Sequence, residues 1–333
     1  MHSKKIILID FEKIKDPFSG LGQFCQHLKF FFDKSSLNLK YFIPNKRQKL
    51  ARHLSLLLPK CDLFHAVHQD SPFIPFSQKS KYILTIHDLN ALAENKDSHF
   101  QKSYKRRLQK RIDRADAITF ISHFTKAETE KNLNLLGKKT FVIYNGISLP
   151  ETSVEPKLIP TKQYLFTIGT VVPKKNFHVL IEMMKHLPDY HLVIAGTLFH
   201  HYAKEMMAKV QRDNLQDRIH LIGTINEQEK LWYYQHAKAF VFPSLLEGFG
   251  LPVVEAMSLG LPLFLSDKTS LPEIGGDLAH YFSNFEGATM ASEFLKGMQE
   301  FNNSKRLALI ERSKMFNWKK SAECYLEIYQ SFL

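Results

Sequence analysis

The chain has 333 residues, too many for one comfortable core and enough for two domains of ordinary size. Its 44% hydrophobic and 23% charged residues are those of a soluble globular protein, and no run nears the ~18 to 20 apolar residues of a membrane span. A net charge of +12 calls for an acidic partner, while the three scattered cysteines, Cys25, Cys61 and Cys324, argue against a disulfide frame and for a cytoplasmic setting.

The N-terminal Met1-His2-Ser3-Lys4-Lys5 leads into a strand-sized apolar run ending at Asp10, without the longer apolar core of a signal peptide. A loop follows, then a helical pattern over Leu21 to Asp33. Leu39 to Ile43, Leu63 to Val67 and Tyr82 to Ile86 are short strand-like runs. Lys102, Lys105, Arg106, Arg107, Lys110, Arg111 and Arg114 crowd one helix, and Lys46, Arg47, Lys49 and Arg52 precede the apolar Leu54 to Leu58. Two readings of these basic stretches stand, a solvated face or adhesion to an anionic membrane surface. Nucleic acid is not expected, because no aromatics are interleaved for base stacking. Ala117 to Ile121 is the next strand, Ser122 opens a polar helix with Thr125 and Glu128 at capping-box spacing, and Phe141 to Tyr144 closes this half before the turn signal Asn145-Gly146.

Pro150, Pro156 and Pro160 mark Leu149 to Thr161 as a linker. The alternation then restarts with the strands Tyr164 to Ile168, His191 to Ala195, Ile219 to Ile222, Ala239 to Phe242 and Leu261 to Leu265. Helices from Phe177, around Tyr202 to Val210, over Glu227 to His236 and after Leu251 fall between or beside them. Trp318 to Leu333 reads as an amphipathic helix that packs back on the body. This βαβα order predicts an α/β protein of two Rossmann-like domains, with parallel sheets covered on both faces and facing across a cleft. The boundaries expected are 1–155, 156–315 and a crossing-back helix over 316–333.

Ligands of open α/β sheets bind beyond the carboxyl ends of the strands, and every chemical candidate here falls at such an end. The most informative is Phe242-Pro243-Ser244-Leu245-Leu246-Glu247-Gly248-Phe249-Gly250-Leu251-Pro252-Val253-Val254-Glu255, a strand, a glycine elbow and a helix start. The first amides of a helix lack internal partners and attract an anion, and carboxylates accept from hydroxyls. Phosphate and hydroxyl on one ligand, as in a nucleotide sugar, satisfy both halves of this segment. Gly169-Thr170-Val171-Val172-Pro173-Lys174-Lys175-Asn176 puts two lysines before a helix, where the macrodipole disfavours them unless an anion intervenes. Thr85-Ile86-His87-Asp88 places an imidazole at a strand end, suited to hydrogen bonding or proton handling. Phe18-Ser19-Gly20-Leu21-Gly22-Gln23 lacks the third glycine of a dinucleotide fingerprint and reads as a flexible loop reaching into the cleft. His65-x-x-His68 and His200-His201 lack the spacing of a zinc site, and no Asp-x-Asp is present to hold a diphosphate-bound metal, so no metal or cofactor is expected.

Together these segments resemble family 4 of the retaining glycosyltransferases, which have the GT-B fold. Glu247 to Glu255 resembles the family's Glu-x7-Glu motif, and Gly169 to Asn176 its diphosphate loop. Gly223, Ser270-Leu271-Pro272-Glu273-Ile274, Thr85 to Leu89, Ala115-Asp116-Ala117 with Ser122, and Asn145-Gly146-Ile147 are also similar. The resemblance implies that Glu247, with Gly248 and the amides of Phe249, Gly250 and Leu251, holds the donor sugar. It gives Glu255 the ribose hydroxyls, Lys175 and Lys174 the diphosphate, and His87 the transferred sugar, with Gly20, Gly22, Gly169 and Gly223 lining the donor. Thr170 stands where family members often carry arginine, which leaves charge neutralisation to the lysines and the helix amides.

The function this implies is retaining, metal-independent transfer of a hexose, with mannose from GDP-mannose the first donor expected. The acceptor is a glycan or a lipid-linked one, in cell-surface polysaccharide or glycolipid synthesis, with the enzyme cytoplasmic and peripheral at the inner face of the membrane. Two alternatives stand: a UDP-sugar donor (glucose, galactose or N-acetylglucosamine), and a basic peripheral adaptor with a degenerate site.

Overall fold

The structure, a computed structural model, describes residues 5–16, 19–45, 48, 50, 55–94 and 97–333. The chain forms two compact units, unit 1 over Met1–Gly146 with Asn317–Leu333 and unit 2 over Ile147–Phe316.

Unit 1 has six strands, β1 (Ile7–Asp10), β2 (Leu39–Phe42), β3 (Leu63–Ala66), β4 (Lys81–Ile86), β5 (Ala117–Phe120) and β6 (Lys139–Val142). They form one parallel sheet in the order 2-1-3-4-5-6, a flavodoxin-like winding with its switch point between β1 and β3. Its described helices include α1 (Gly20–Phe32), α2 (Asn90–Glu94), α3 (Ser98–Arg114), α4 (His123–Asn132) and a closing helix, Trp318–Ser331. Successive strand residues point to opposite faces. Accordingly Leu8, Phe64, Leu84 and Ile118 join a core with Tyr104, Leu108 and Ile112 of α3. Ile7, Ile9, Leu63 and Ile83 join Phe24 and Leu28 of α1 on the other face.

The closing helix completes that second core. Asn317 caps it by accepting from the Lys319 and Lys320 amides, and Trp318, Tyr325 and Tyr329 are buried. The Tyr329 hydroxyl meets His65 Nδ1 at 2.6 Å, His65 Nε2 meets Thr85 Oγ1 at 2.7 Å, and Thr85 meets Thr119 at 2.7 Å. This polar thread satisfies groups that an apolar core would otherwise strand.

Unit 2 has β7 (Tyr164–Ile168), β8 (His191–Ala195), β9 (Ile219–Gly223), β10 (Ala239–Phe242), β11 (Leu263–Ser266) and β12 (His280–Phe282), with helices α5 (His178–Lys185), α6 (His201–Arg212), α7 (Glu227–His236), α8 (Leu251–Ser258), α9 (Leu271–Gly275), α10 (Gly287–Glu300) and α11 (Asn303–Ser313). The strand order 12-11-10-7-8-9 is that of a Rossmann sheet, with the switch point between β7 and β10.

Several local expectations change. The proline-rich stretch is not a free linker: the Val154 amide bonds the Gln228 carbonyl and Tyr233 donates to the Leu158 carbonyl, so it lies along unit 2. Ser122, not Thr125, caps α4, its hydroxyl accepting from the Thr125 amide. α3 begins at Ser98, earlier than the basic run, because Asp97 accepts from the His99 and Phe100 amides. The basic residues Lys46, Arg47, Lys49 and Arg52 lie outside the described residues, as does Phe18.

Truncating a fully buried aromatic of the closing helix should destabilise unit 1. Tyr325→Ala is expected to cost about 3–5 kcal/mol, read from urea unfolding followed by near-UV dichroism.

Candidate active site

In unit 2 the chain leaves β7 at Gly169 and makes a 3-10 turn over Pro173–Lys175, and left-handed Asn176 (φ 58°) then redirects it into α5. The two lysines therefore stand in the turn before the helix rather than in its first turn. The Lys174 carbonyl accepts from the Leu245 amide at 2.8 Å and from Ser244 Oγ at 3.3 Å, tying this loop to the elbow after β10. Such tying follows from the strand order, which makes β7 and β10 neighbours.

The side chains meet as the backbones do. Lys175 Nζ lies 2.5 Å from Glu247 Oε1 and 4.9 Å from the centre of the Phe242 ring. Both partners of this ion pair are largely shielded, with side-chain exposures of 14% and 12%. Glu247 is held through its backbone: its amide donates to Thr269 Oγ1 at 3.1 Å, and its carbonyl accepts from Ser270 Oγ at 3.1 Å. Ser270 also donates to the Phe249 carbonyl at 3.0 Å. Phe249 itself is buried edge-on against Phe316.

Gly250 caps α8 at φ 104°, a conformation that excludes most side chains, and Pro252 stands second in the helix. Gly248 and Leu251 flank it in the same elbow. Pro252 has no amide hydrogen and the Val253 and Val254 amides donate to the Gly250 carbonyl, so what the start of α8 offers an anion is the Leu251 amide and the positive end of the helix dipole, four positions after the partner of Lys175.

Glu255, one turn further along α8, has a separate cation. Its Oε1 lies 2.7 Å from Lys230 Nζ, and its Oε2 accepts from the Tyr234 hydroxyl at 2.9 Å. Lys230 also meets Glu227 Oε2 at 2.7 Å. Burial alone disfavours the Lys230 charge, but Glu255 and Glu227 outweigh it and hold the ammonium above its usual range.

Gly169, Gly196 and Gly223 align at the ends of β7, β8 and β9. The Gly169 amide donates to the Ala195 carbonyl and the Gly196 amide to the Gly223 carbonyl at 2.7 Å. A Cβ on Gly196 would come within 1.9 Å of the Gly169 carbonyl oxygen, so only glycine lets these loops stack. Thr170 is exposed beside them.

In unit 1, His87 follows β4 and is 8% exposed. Its Nε2 lies 2.8 Å from the Val67 carbonyl, which only accepts, so Nε2 carries the proton and Nδ1 is left as an acceptor. Its amide donates to Gln69 Oε1 and its ring stands edge-on to Phe24. Burial pushes its pKa down to about 4, against the opposing effect of the Val67 bond. His87 is therefore neutral near pH 7, a hydrogen-bond acceptor and not an acid. Asp10 ends β1 fully buried, accepting from Ser71 and from the Glu12 amide, and burial raises its pKa to about 6.

Gly20 and Gly22 do not form the expected loop. They are the first turn of α1, because Ser19 caps that helix and accepts from the Gly22 amide at 3.0 Å. Among the described residues no cluster of three or more His, Cys, Asp or Glu is placed to hold a metal ion.

Comparison with known proteins gives this geometry a family. The family described as "Glycosyl transferases group 1" matches residues 150–308, and "Glycosyltransferase Family 4" matches residues 22–150. The chain is a family 4 glycosyltransferase. The O-antigen chain mannosyltransferase B of Escherichia coli is 23% identical, over 97% of this chain and 99% of its own. An O-antigen chain mannosyltransferase of Salmonella typhimurium is 29% identical over 57% of this chain and 53% of its own. Among solved structures, a sucrose-phosphate synthase of Thermosynechococcus elongatus aligns with a TM-score of 0.78 at 17% identity, covering 98% of both chains. The Anabaena protein HepE in complex with UDP-glucose aligns at 0.67 and 15% identity, over 98% of this chain and all of its own (100%). These structures establish the GT-B fold.

Sequence reasoning had singled out the glycosyltransferase's Lys175, Glu247, Glu255 and His87, but neither Lys230 nor Gly196. A glycine directly after β8, mirroring Gly169 after β7, was the available sign of Gly196. Lys230, between Glu229 and Leu231 on α7, carries no local sign of its burial.

Unit 1 should be labile to acid. Burial, with His87 adding to it for the first two, lowers His65 and His68 to about 3, and burial lowers His87 to about 4. The unfolded chain binds these protons near pH 6.5, so the stability they give is full above that value and lost as pH falls toward 4. Asp10 opposes them, because its raised native pKa makes the folded state take up a proton first. Three histidines against one carboxyl leave a net uptake of two protons on unfolding, so stability should fall by roughly 3 kcal/mol per pH unit between about pH 6 and 4. Denaturant unfolding measured across this range checks the slope and its sign.

Proposed function

We propose that the protein transfers a hexose from a nucleotide sugar, with retention of configuration, to a growing glycan or a lipid-linked acceptor in polysaccharide synthesis. The observation that carries this is the Lys175–Glu247 pair at the switch point of unit 2, beside the start of α8. A diphosphate is the ligand group that suits a lysine paired to the segment that opens a helix, and a hydroxylated sugar is the one that suits the carboxylate of that pair. Glu255, the second acid, takes the ribose hydroxyls. Relatives named as mannosyltransferases support mannose as the sugar, and GDP-mannose is the donor we assign.

In the transfer, the bond between the sugar's anomeric carbon and the diphosphate oxygen breaks while the acceptor oxygen bonds that carbon from the same face. The acceptor's proton passes to the departing phosphate oxygen. Negative charge grows on that phosphate, and Lys175 with the α8 amides stabilises it without a metal ion. Lys174, in the same turn, adds to the field. Neutral His87, able only to accept at Nδ1, serves a ligand hydroxyl.

Thermal shift against a panel of nucleotide sugars tests the donor, since a ligand at 100 times its Kd stabilises by about 2.7 kcal/mol. GDP-mannose is expected to give the largest shift; a larger shift with a UDP-sugar would reassign the donor, and none with any would sink the reading. Lys175→Ala should cut kcat by about 10²- to 10³-fold in a radiolabelled-sugar transfer assay, and turnover at the wild-type rate would remove Lys175 from the mechanism.

We also propose that the solvent face of α3 meets an anionic membrane. Lys102, Arg106 and Lys110 recur on it at four-residue spacing, all exposed and in no described ion pair. No described helix is long and apolar enough to cross a membrane. The triple variant K102E/R106E/K110E should lose sedimentation with phosphatidylglycerol vesicles, at roughly 1 kcal/mol per basic residue, and retain activity on a water-soluble acceptor.

A further inference from the structure

Glu255 is deep in unit 2, at 7% exposure, and a lone carboxylate there would be costly. The structure surrounds it from one side. Lys230 and Tyr234 stand four positions apart on α7, hence one above the other on a single helix face. They engage different oxygens, Lys230 Oε1 at 2.7 Å and Tyr234 Oε2 at 2.9 Å. Among the described residues, the other elements packed on α8 bring no second cation into an ion pair with the carboxylate. β10 and β11 read Ala-Phe-Val-Phe and Leu-Phe-Leu-Ser, without ionisable groups. α9 carries Glu273, and α11 commits Arg312 to the carbonyls of Glu273 and Ile274 and lays Arg306 against Gly260. Glu227, the remaining neighbour, lies behind Lys230 as that lysine's second partner.

We propose that Lys230 is a positioning residue for nucleotide recognition: with Tyr234 it holds Glu255 charged and oriented so that one free lone pair on each oxygen faces a vicinal diol. This rests on the reading of Glu255 as the ribose-binding acid. A carboxylate offers about four acceptor positions, two per oxygen. Lys230 and Tyr234 use one on each oxygen and leave one on each, which is what two adjacent hydroxyls require. Lys230 itself, with a side chain 6% exposed, is too deeply placed to be the ligand's contact. Glu227, with a side chain 53% exposed, lets the ammonium keep a second counter-charge without competing for the diol.

Without Lys230 the buried carboxylate loses the one cation paired with it among the described residues, which favours uptake of a proton and converts one acceptor oxygen into a donor. The consequence is a readout that a loss of packing would not produce. The experiment measures binding of GDP and UDP, each against its 2′,3′-dideoxy analogue, by calorimetry from pH 5.5 to 9. Wild-type protein should prefer the ribose form of the nucleotide it binds, with a ratio that stays level across this range. In Lys230→Met the ratio should fall by about tenfold at the acid end and recover toward pH 9. Lys230→Gln keeps a donor for Oε1 without the charge and should show the same pH dependence, which covers the case in which the methionine variant does not fold. Lys230→Arg, which keeps the charge, should leave the ratio level. A wild-type ratio of one overturns the ribose reading and this inference with it. A clear wild-type preference that both neutral variants keep unchanged at every pH overturns the role of Lys230 alone.

Discussion

A buried carboxylate needs cations or hydrogen-bond donors around it, and in unit 2 two cations meet this constraint and organise the candidate site. Glu247 is matched by Lys175 from the turn after β7, and Glu255 by Lys230 from α7. Removing one partner of such a pair typically costs about 3–5 kcal/mol, because the other charge is then stranded. Two acids on one short segment therefore fix two other segments around them. The switch of strand order makes this feasible, since it sets β10 directly beside β7 and brings the Lys174 carbonyl to the Leu245 amide.

The two units are chemically unlike at the carboxyl ends of their strands. Unit 2 collects charge: two ion pairs, helix amides and a row of glycines whose backbones approach closely. Unit 1 has His68 and His87 just beyond β3 and β4, both pushed by burial well below the ordinary imidazole range, while His65 is committed to the core.

The parallel α/β fold was largely legible, because buried parallel strands read as apolar runs between helical patterns. Tyr164–Ile168, His191–Ala195, Glu227–His236 and Ala239–Phe242 fall where periodicity puts them. Residues 266–317, which periodicity left unassigned, contain α9, β12, α10 and α11. Pro272 and the Gly275-Gly276 pair break the local rhythm there, and β12 is too short to show alternation. Gly20 and Gly22 misled because a glycine pair reads as a loop, whereas the Ser19 hydroxyl supplies the cap that lets a helix start on them. The proline-rich stretch misled in the same way, since its backbone finds partners in α7 that no local pattern announces.

By itself the sequence determined the class of fold, the strand ends that carry the candidate residues, and the acids and lysine that resemble the family's motifs. These are local properties, written in periodicity, in glycine and proline placement, and in residues close together along the chain. Only the tertiary structure decided which cation answers which acid, since Lys175 and Glu247 are 72 positions apart and Lys230 and Glu255 are 25. It also decided that His87 accepts rather than donates at Nδ1, because that depends on the Val67 carbonyl across the sheet. Pairings of this kind arise from strand order and burial, which no stretch of sequence carries alone.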